Sequence, residues 1–126
     1  MSLARPLVAI VDDDESVRES LPDLLRVFGF DAATFSSADA FLASPTAAQA
    51  ACLILDVAMP GMTGPELQQE LKRRGSTLRI VFITAQGDDR DRRRLLAAGA
   101  VAYLQKPFSE SALLDALDLA LKPRTT

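Results

Sequence analysis

Strand-length and helical segments alternate five times along this chain, and few folds accept that order. The strand-length segments are residues 7–11, 31–35, 51–55, 78–83 and 100–104. Apart from 31–35 they are unbroken or nearly unbroken apolar runs, the mark of strands buried on both faces of a sheet. Between and after them apolar residues recur three and four apart, as on one face of a helix. Such alternation specifies a parallel sheet with helices on both faces, joined by right-handed crossovers. At 126 residues the chain makes one domain, and at 48% hydrophobic it can bury a proper core. Only 6% is aromatic, so that core is aliphatic.

The helices carry their own start and stop signals. The first is expected over 16–28, with Val17, Leu21, Leu24, Leu25 and Phe28 on one face and Gly29 as its stop. Pro22 lies inside it and cannot donate to the carbonyl of Arg18, which predicts a bend. Ser36 or Ser37 caps a second helix through Phe41 and Leu42, and residues 44–50 read as a surface loop. Thr63-Gly64-Pro65-Glu66 has the spacing of a capping box and opens a third helix that ends near Gly75. The fourth, over 87–98, is charged from Asp88 to Arg94, so its apolar face is thin and its packing weak. Ser109 caps the last, which turns Leu113, Leu114, Leu117 and Leu121 inward. Residues 1–6 read as an N-terminal tail, 7–121 as the domain, and 122–126 as the start of a linker or a C-terminal tail.

Composition removes several classes of function. A net charge of -3 lacks the basic footprint of direct nucleic-acid binding. No apolar run approaches the roughly 20 residues of a membrane span, and 7–11 is too short for the apolar core of a signal peptide. The expected setting is cytoplasmic. The single cysteine, Cys52, falls in a buried strand and has no internal partner. There is no histidine, which excludes Ser-His and Cys-His catalysis and His metal sites. Chemistry must run on carboxylates, hydroxyls, lysine and a hard cation.

The polar residues that stand out all follow strands. Asp12 and Asp13 follow the first, Asp56 ends the third, Thr84 ends the fourth and Lys106 follows the fifth. Carboxyl ends of parallel strands share one edge, where open α/β sheets bind ligands. Each residue has an ordinary explanation alone: acids favour helix N-termini, aspartates make turns, and lysines are solvated. Five such groups on one edge ask for a common one. Clustered carboxylates raise one another's pKa unless a cation compensates. Oxygen-only ligands suit Mg²⁺, which takes one or two protein carboxylates and keeps several waters. An aspartate in that setting can attack a phosphoryl group and form an aspartyl phosphate. Mg²⁺, the Lys106 ammonium and the Thr84 hydroxyl would neutralise the transferring group from different sides.

Together these motifs resemble the receiver domain of bacterial two-component response regulators. The matching residues are Asp12-Asp13, the loop Asp56-x-x-Met59-Pro60-x-Met62-x-Gly64, Thr84-Ala85 and Lys106-Pro107-Phe108, in order and spacing over 7–121. The likeness is greatest to receivers that precede a helix-turn-helix output domain, as in the nitrogen-fixation regulators. It implies a flavodoxin-like, doubly wound five-stranded parallel sheet of strand order 2-1-3-4-5 with five helices. It also implies a sensor histidine kinase as phosphoryl donor and Asp56 as acceptor. Asp13, Asp56 and the backbone carbonyl of Ala58 would ligate Mg²⁺ directly, and Asp12 through a metal-bound water. Lys106 would pair with Asp56 and then with its phosphoryl group, and the Lys106-Pro107 peptide would be cis. Thr84 would move to the phosphoryl oxygen and Tyr103 swing into the space vacated. The readout face would be the fourth helix, fifth strand and fifth helix, with a homodimer through that face as one outcome. Such a domain assists its own phosphorylation and dephosphorylation without being a turnover enzyme.

Other readings have less support. A stand-alone receiver acting by protein contact would look the same as one that precedes an output domain. A haloacid-dehalogenase-type phosphatase needs a second carboxylate two residues past its nucleophile, and Ala58 stands there. No phosphate-cradling glycine motif of a nucleotide-binding domain is present. A degenerate receiver would not retain the acid cluster, Thr84 and Lys106. Two features shade the pattern. Pro22 lies in a helix that often meets the kinase, and Ala58, like Gln86 two residues past a site residue, places no polar group of its own on the water path to the acyl phosphate.

Overall fold

The computed structural model describes residues 5–122. Most of the two expected tails lies outside them. Five strands are present: β1 (Leu7–Val11), β2 (Asp31–Phe35), β3 (Cys52–Asp56), β4 (Arg79–Thr84) and β5 (Ala102–Gln105). Five α-helices alternate with them: α1 (Glu15–Val27), α2 (Ala38–Ala43), α3 (Gly64–Arg73), α4 (Asp89–Ala97) and α5 (Glu110–Leu121). The strands form one sheet in the order β2-β1-β3-β4-β5, every neighbour parallel. This is the flavodoxin-like order expected from the sequence.

Side chains alternate across a strand with period two, so each central strand feeds two cores. Val8 and Ile10, Cys52 and Ile54, and Val81 and Ile83 face one side, against Leu21 and Leu25 of α1 and Leu113 and Leu117 of α5. Ala9 and Val11, Leu53 and Leu55, and Ile80 and Phe82 face the other, against Phe41 of α2, Leu67 and Leu71 of α3 and Leu95 of α4. Each fully buried leucine contributes roughly 2–3 kcal/mol.

Capping follows the local chemistry. Asp14 caps α1, accepting from the Ser16 N–H at 2.9 Å. Ser37, not Ser36, caps α2, and Ser109 caps α5. The Thr63–Glu66 capping box is complete, with Glu66 accepting from the Thr63 N–H and Thr63 from the Glu66 N–H. α1 runs on through Pro22, so the proline does not end it. Arg79 at the start of β4 donates to the carbonyls of Leu119, Ala120 and Lys122, occupying acceptors that the end of α5 leaves free. α4 buries one side chain fully, Leu95, and the Gln68 amide of α3 donates to the Leu95 carbonyl at 3.3 Å. The thin packing expected of this helix is present.

Two expectations need correction. Residues 44–50 are not plain loop: Pro45–Gln49 form a 3₁₀ turn, started by Ser44 accepting from the Thr46 N–H. Proline is preset for such a first turn. Strand ends also differ, since β3 includes Asp56, β4 includes Thr84 and β5 runs from Ala102 to Gln105. Backbone pairing continues past the apolar run, because ladder hydrogen bonds do not depend on the side chain. Asp56 and Thr84 are therefore held in the sheet.

β1 pairs with β2 on one side and β3 on the other, which makes the β1/β3 edge the point where strand order reverses. The loop after β3 packs tightly over it. A Cβ on Gly64 would overlap the Asp56 carbonyl oxygen and come within 3.0 Å of Phe82 and of the Val57 backbone. Gly64→Ala is expected to lower stability by about 2–3 kcal/mol, the scale of overpacking a rigid site, as read by urea unfolding.

Candidate functional site

Asp12 is fully buried where β1 ends. Its Oδ1 accepts from the Asp14 N–H at 2.9 Å and its Oδ2 from the Lys106 ammonium at 2.8 Å. Arg18 of α1 donates to the Asp12 carbonyl at 2.8 Å. A charge removed from water is tolerated when paired and hydrogen-bonded in this way. Asp56, the last residue of β3, is 6% exposed, whereas Asp13 is open to solvent. Asp12, Asp13 and Asp56 each present an oxygen within 4.8 Å of the others.

A cavity of about 380 Å³ opens over this cluster, lined by Asp13, Asp56, Ala58, Thr84, Gln86 and Lys106 among others. Asp13, Asp56, Ala58, Thr84 and Lys106 therefore meet in one place, with Asp12 buried next to them and Tyr103 outside the lining. The Lys106–Pro107 peptide is cis, as expected. Two details differ from expectation. Lys106 is bonded to Asp12 and not to Asp56, because the fully buried carboxylate has the greater need of a counter-charge. Tyr103 is already turned inward: its hydroxyl is buried without a hydrogen-bond partner among the described residues, near Thr84 and Gly87. The Thr84 hydroxyl accepts from the Gln86 N–H at 3.3 Å.

Asp14 and Asp91 also line the cavity, and sequence reasoning missed both there. Asp14 is one more acid in the run after β1, with nothing local to mark it as a cavity residue. Asp91 sits in a run of alternating charge on α4 with nothing local to single it out.

The electrostatics are those of an undercompensated acid cluster. Burial pushes the Asp56 carboxyl up, the Asp12 charge and hydrogen bonds with Asp12 and Asp13 push it further, and Lys106 pulls it down, for a net pKa of about 7. Burial acts to lower the Lys106 pKa, but the hydrogen bond and charge of Asp12, with Asp56 and Asp14 beyond, outweigh it and leave it raised. An all-oxygen donor set with surplus negative charge fits a hard divalent cation. Both Asp12 oxygens already accept hydrogen bonds, so Asp13 and Asp56 are the freer donors.

Residues 8–118 match the family model for the response regulator receiver domain. The chain belongs to this family. The receiver domain is 42% identical over 122 residues to response regulator protein TodT of Pseudomonas putida, covering 97% of this chain and 54% of TodT. Transcriptional regulatory protein TdiR of Thauera aromatica is 42% identical over 114 residues, 90% of this chain and 50% of TdiR. The receiver thus spans about half the length of these curated relatives. The crystal structure of FixJ-N superposes with a TM-score of 0.84 at 34% identity, covering 98% of each chain. Among the described residues no helix of this receiver is long and apolar enough to cross a membrane.

The raised Asp56 carboxyl gives a signed pH dependence. Between the usual carboxylate range and about 7 the folded state holds a proton that the unfolded state has lost. The stability this proton confers is complete at low pH and is lost as pH rises through about 7. In chelator-containing buffer Asp56→Asn is expected to melt about 3–6 °C above the unchanged protein at pH 8, with the gap closing toward pH 4. Thermal unfolding across pH checks this, and a gap independent of pH contradicts it.

Proposed function

We propose that this domain, over residues 7–121, accepts a phosphoryl group from a sensor histidine kinase onto Asp56 and uses it to reset the face formed by α4, β5 and α5. The observation that carries the reading is the convergence of Asp13, Asp56, Thr84 and Lys106 on one cavity, with Asp12 anchoring Lys106 beneath it. Asp56 is the acceptor because it is the acid held by the sheet at the cavity floor. Asp13 and Asp56, with the Ala58 carbonyl, would hold Mg²⁺, and Asp12 would act through its water. That ion, when bound, supplies positive charge for the phosphoryl oxygens.

The chain's own groups do the rest. A carboxylate oxygen of Asp56 forms the new O–P bond as the donor's N–P bond breaks, and the released imidazole takes up a proton. Lys106 is fully charged and lines the cavity, so its ammonium can leave Asp12 in part to meet a new dianion. Thr84 ends β4 on the cavity wall and can turn its hydroxyl from the Gln86 N–H to a phosphoryl oxygen. Tyr103 already occupies the inward seat, so the switch here is the turn of Thr84 beside a ring that is in place. The domain is a signalling module of the cytoplasm and not a turnover enzyme. The name of TdiR, a transcriptional regulatory protein, supports a role in transcription. A DNA-binding output domain joined to this one, and dimerisation through the α4–β5–α5 face, are part of the same proposal.

Incubation with Mg²⁺ and acetyl phosphate is expected to add one labile phosphoryl group, seen by intact mass, that Asp56→Asn abolishes. A stable mass, or an adduct that persists in the variant, refutes the assignment. Sustained hydrolysis of unrelated phosphate esters would point to a phosphatase instead.

Ala58 is exposed at the cavity edge and offers no polar side chain to an attacking water. Ala58→Asn places an amide there and is expected to shorten the phosphoryl lifetime by about threefold or more, the effect of orienting one reactant. Equal decay rates would count against this water path.

A further inference from the structure

Gly87 lies three residues past Thr84, in the loop that leads to α4. Its backbone is not in the left-handed region that favours glycine, unlike those of Gly29, Gly61, Gly75 and Gly99. Conformation therefore does not explain the glycine; space does. A Cβ at this position would lie 2.9 Å from the Tyr103 hydroxyl oxygen and 3.0 Å from both Tyr103 Cε1 and Thr84 Cγ2. Separations this short are not sustained in close-packed interiors without displacing a neighbour. The volume a side chain would fill is taken by the Tyr103 ring on one side and the Thr84 methyl on the other.

Tyr103 is held there mainly by packing. Its hydroxyl is buried and makes no hydrogen bond of full geometry among the described residues, with only the Asp88 backbone N–H acting on it as a weak donor. An unpaired buried hydroxyl is costly, and turning outward would restore its water. Ring contacts favour the inward seat while the hydroxyl favours the outward one. A small change in available room can decide between them.

We propose that Gly87 is a positioning residue of the phosphoryl site: by carrying no side chain it admits the Tyr103 ring beside Thr84. Its functional consequence rests on the phosphoacceptor reading above. Thr84 lines the cavity, and the ring covers its flank, so the inward state is the one that leaves Thr84 free to follow a phosphoryl group. A ligand favours whichever state it binds better, and a residue that empties the inward seat weakens that ligand. Two effects are thereby separable, the seat of Tyr103 and the affinity of the site.

The chain has one tyrosine and no tryptophan, so intrinsic fluorescence reports Tyr103 alone. In Gly87→Ala, acrylamide quenching of this emission is expected to rise clearly above that of the unchanged protein. The unfolding midpoint should fall by about 3–6 °C, the low end of overpacking where the neighbour that gives way is the tip of a side chain. In a Tyr103→Leu background the same glycine substitution should lower the midpoint by less than half as much, because the clashing hydroxyl and ring edge are gone. This second background also keeps the test readable where Gly87→Ala alone folds poorly. Beryllofluoride with Mg²⁺ should bind Gly87→Ala about threefold or more weakly. Unchanged quenching, an equal midpoint loss in the Tyr103→Leu background, or unchanged beryllofluoride affinity overturns the proposal. Failure of the phosphoacceptor reading would show separately, as no beryllofluoride binding by the unchanged protein, and leaves the quenching and unfolding comparisons to decide where Tyr103 sits.

Discussion

A carboxylate with no contact with water has to be balanced, and Asp12 is balanced by one ammonium, that of Lys106. The two residues are 94 positions apart and follow the first and last strands of the chain. Their contact ties the end of β1 to the end of β5 across the carboxyl ends of β3 and β4. Coulomb attraction grows as solvent is excluded, and so does the cost of losing either partner. Asp12 takes the Asp14 N–H and Lys106 takes Asp12, which leaves Asp13 and Asp56 as unsatisfied acids above. The site's surplus negative charge follows from this division. One cation is committed to the buried acid, and the remaining acids must find theirs from solution or from an incoming group.

The fold supplies this arrangement through strand order. Because β1 and β3 are neighbours, the loop carrying Asp12 and Asp13 and the residue Asp56 are adjacent without any long side chain having to reach. β3 and β4 are neighbours too, and Asp56 pairs directly with Ile83, one residue before Thr84. Backbone pairing is a stiff support, so the distances between these groups do not depend on loops. Only the groups on the β5 side, Lys106 and Tyr103, approach from an edge strand.

Much of this was legible in the sequence for a physical reason. Apolar runs and caps mark elements through local interactions, and parallel alternation puts every strand's carboxyl end on one edge. Asp12, Asp13, Asp56, Thr84 and Lys106 were therefore recoverable as a group from their positions after strands. What was not legible depends on packing between distant segments. The partner of Lys106 follows which acid is buried deeper, and Asp12 is held by distant segments, its N–H donating to the Phe35 carbonyl of β2 and its carbonyl accepting from Arg18 of α1. The 3₁₀ turn at Pro45–Gln49 has the composition of a loop and differs only in how its few residues hydrogen-bond. Asp91 lines the cavity from the first turn of α4, a placement set by tertiary packing that no local pattern encodes. Gly87 looked like a helix boundary, and only the position of Tyr103 from another strand reveals that its lack of a side chain has a use.

The same contrast in stiffness explains where a signal can go. The floor of the cavity is β3 and β4, central strands with every apolar side chain buried, and it can shift little without breaking two cores. The wall on the α4 side is different. α4 is anchored by Leu95 and one amide from Gln68, and it contributes Asp91 to the cavity. Tyr103, beside it, is inward with no hydrogen bond of full geometry among the described residues. New charge placed on Asp56 therefore acts between a rigid floor and a loosely held wall. The response falls on the element with the least to lose, which is α4 and the tyrosine behind it, and that is the face proposed for readout.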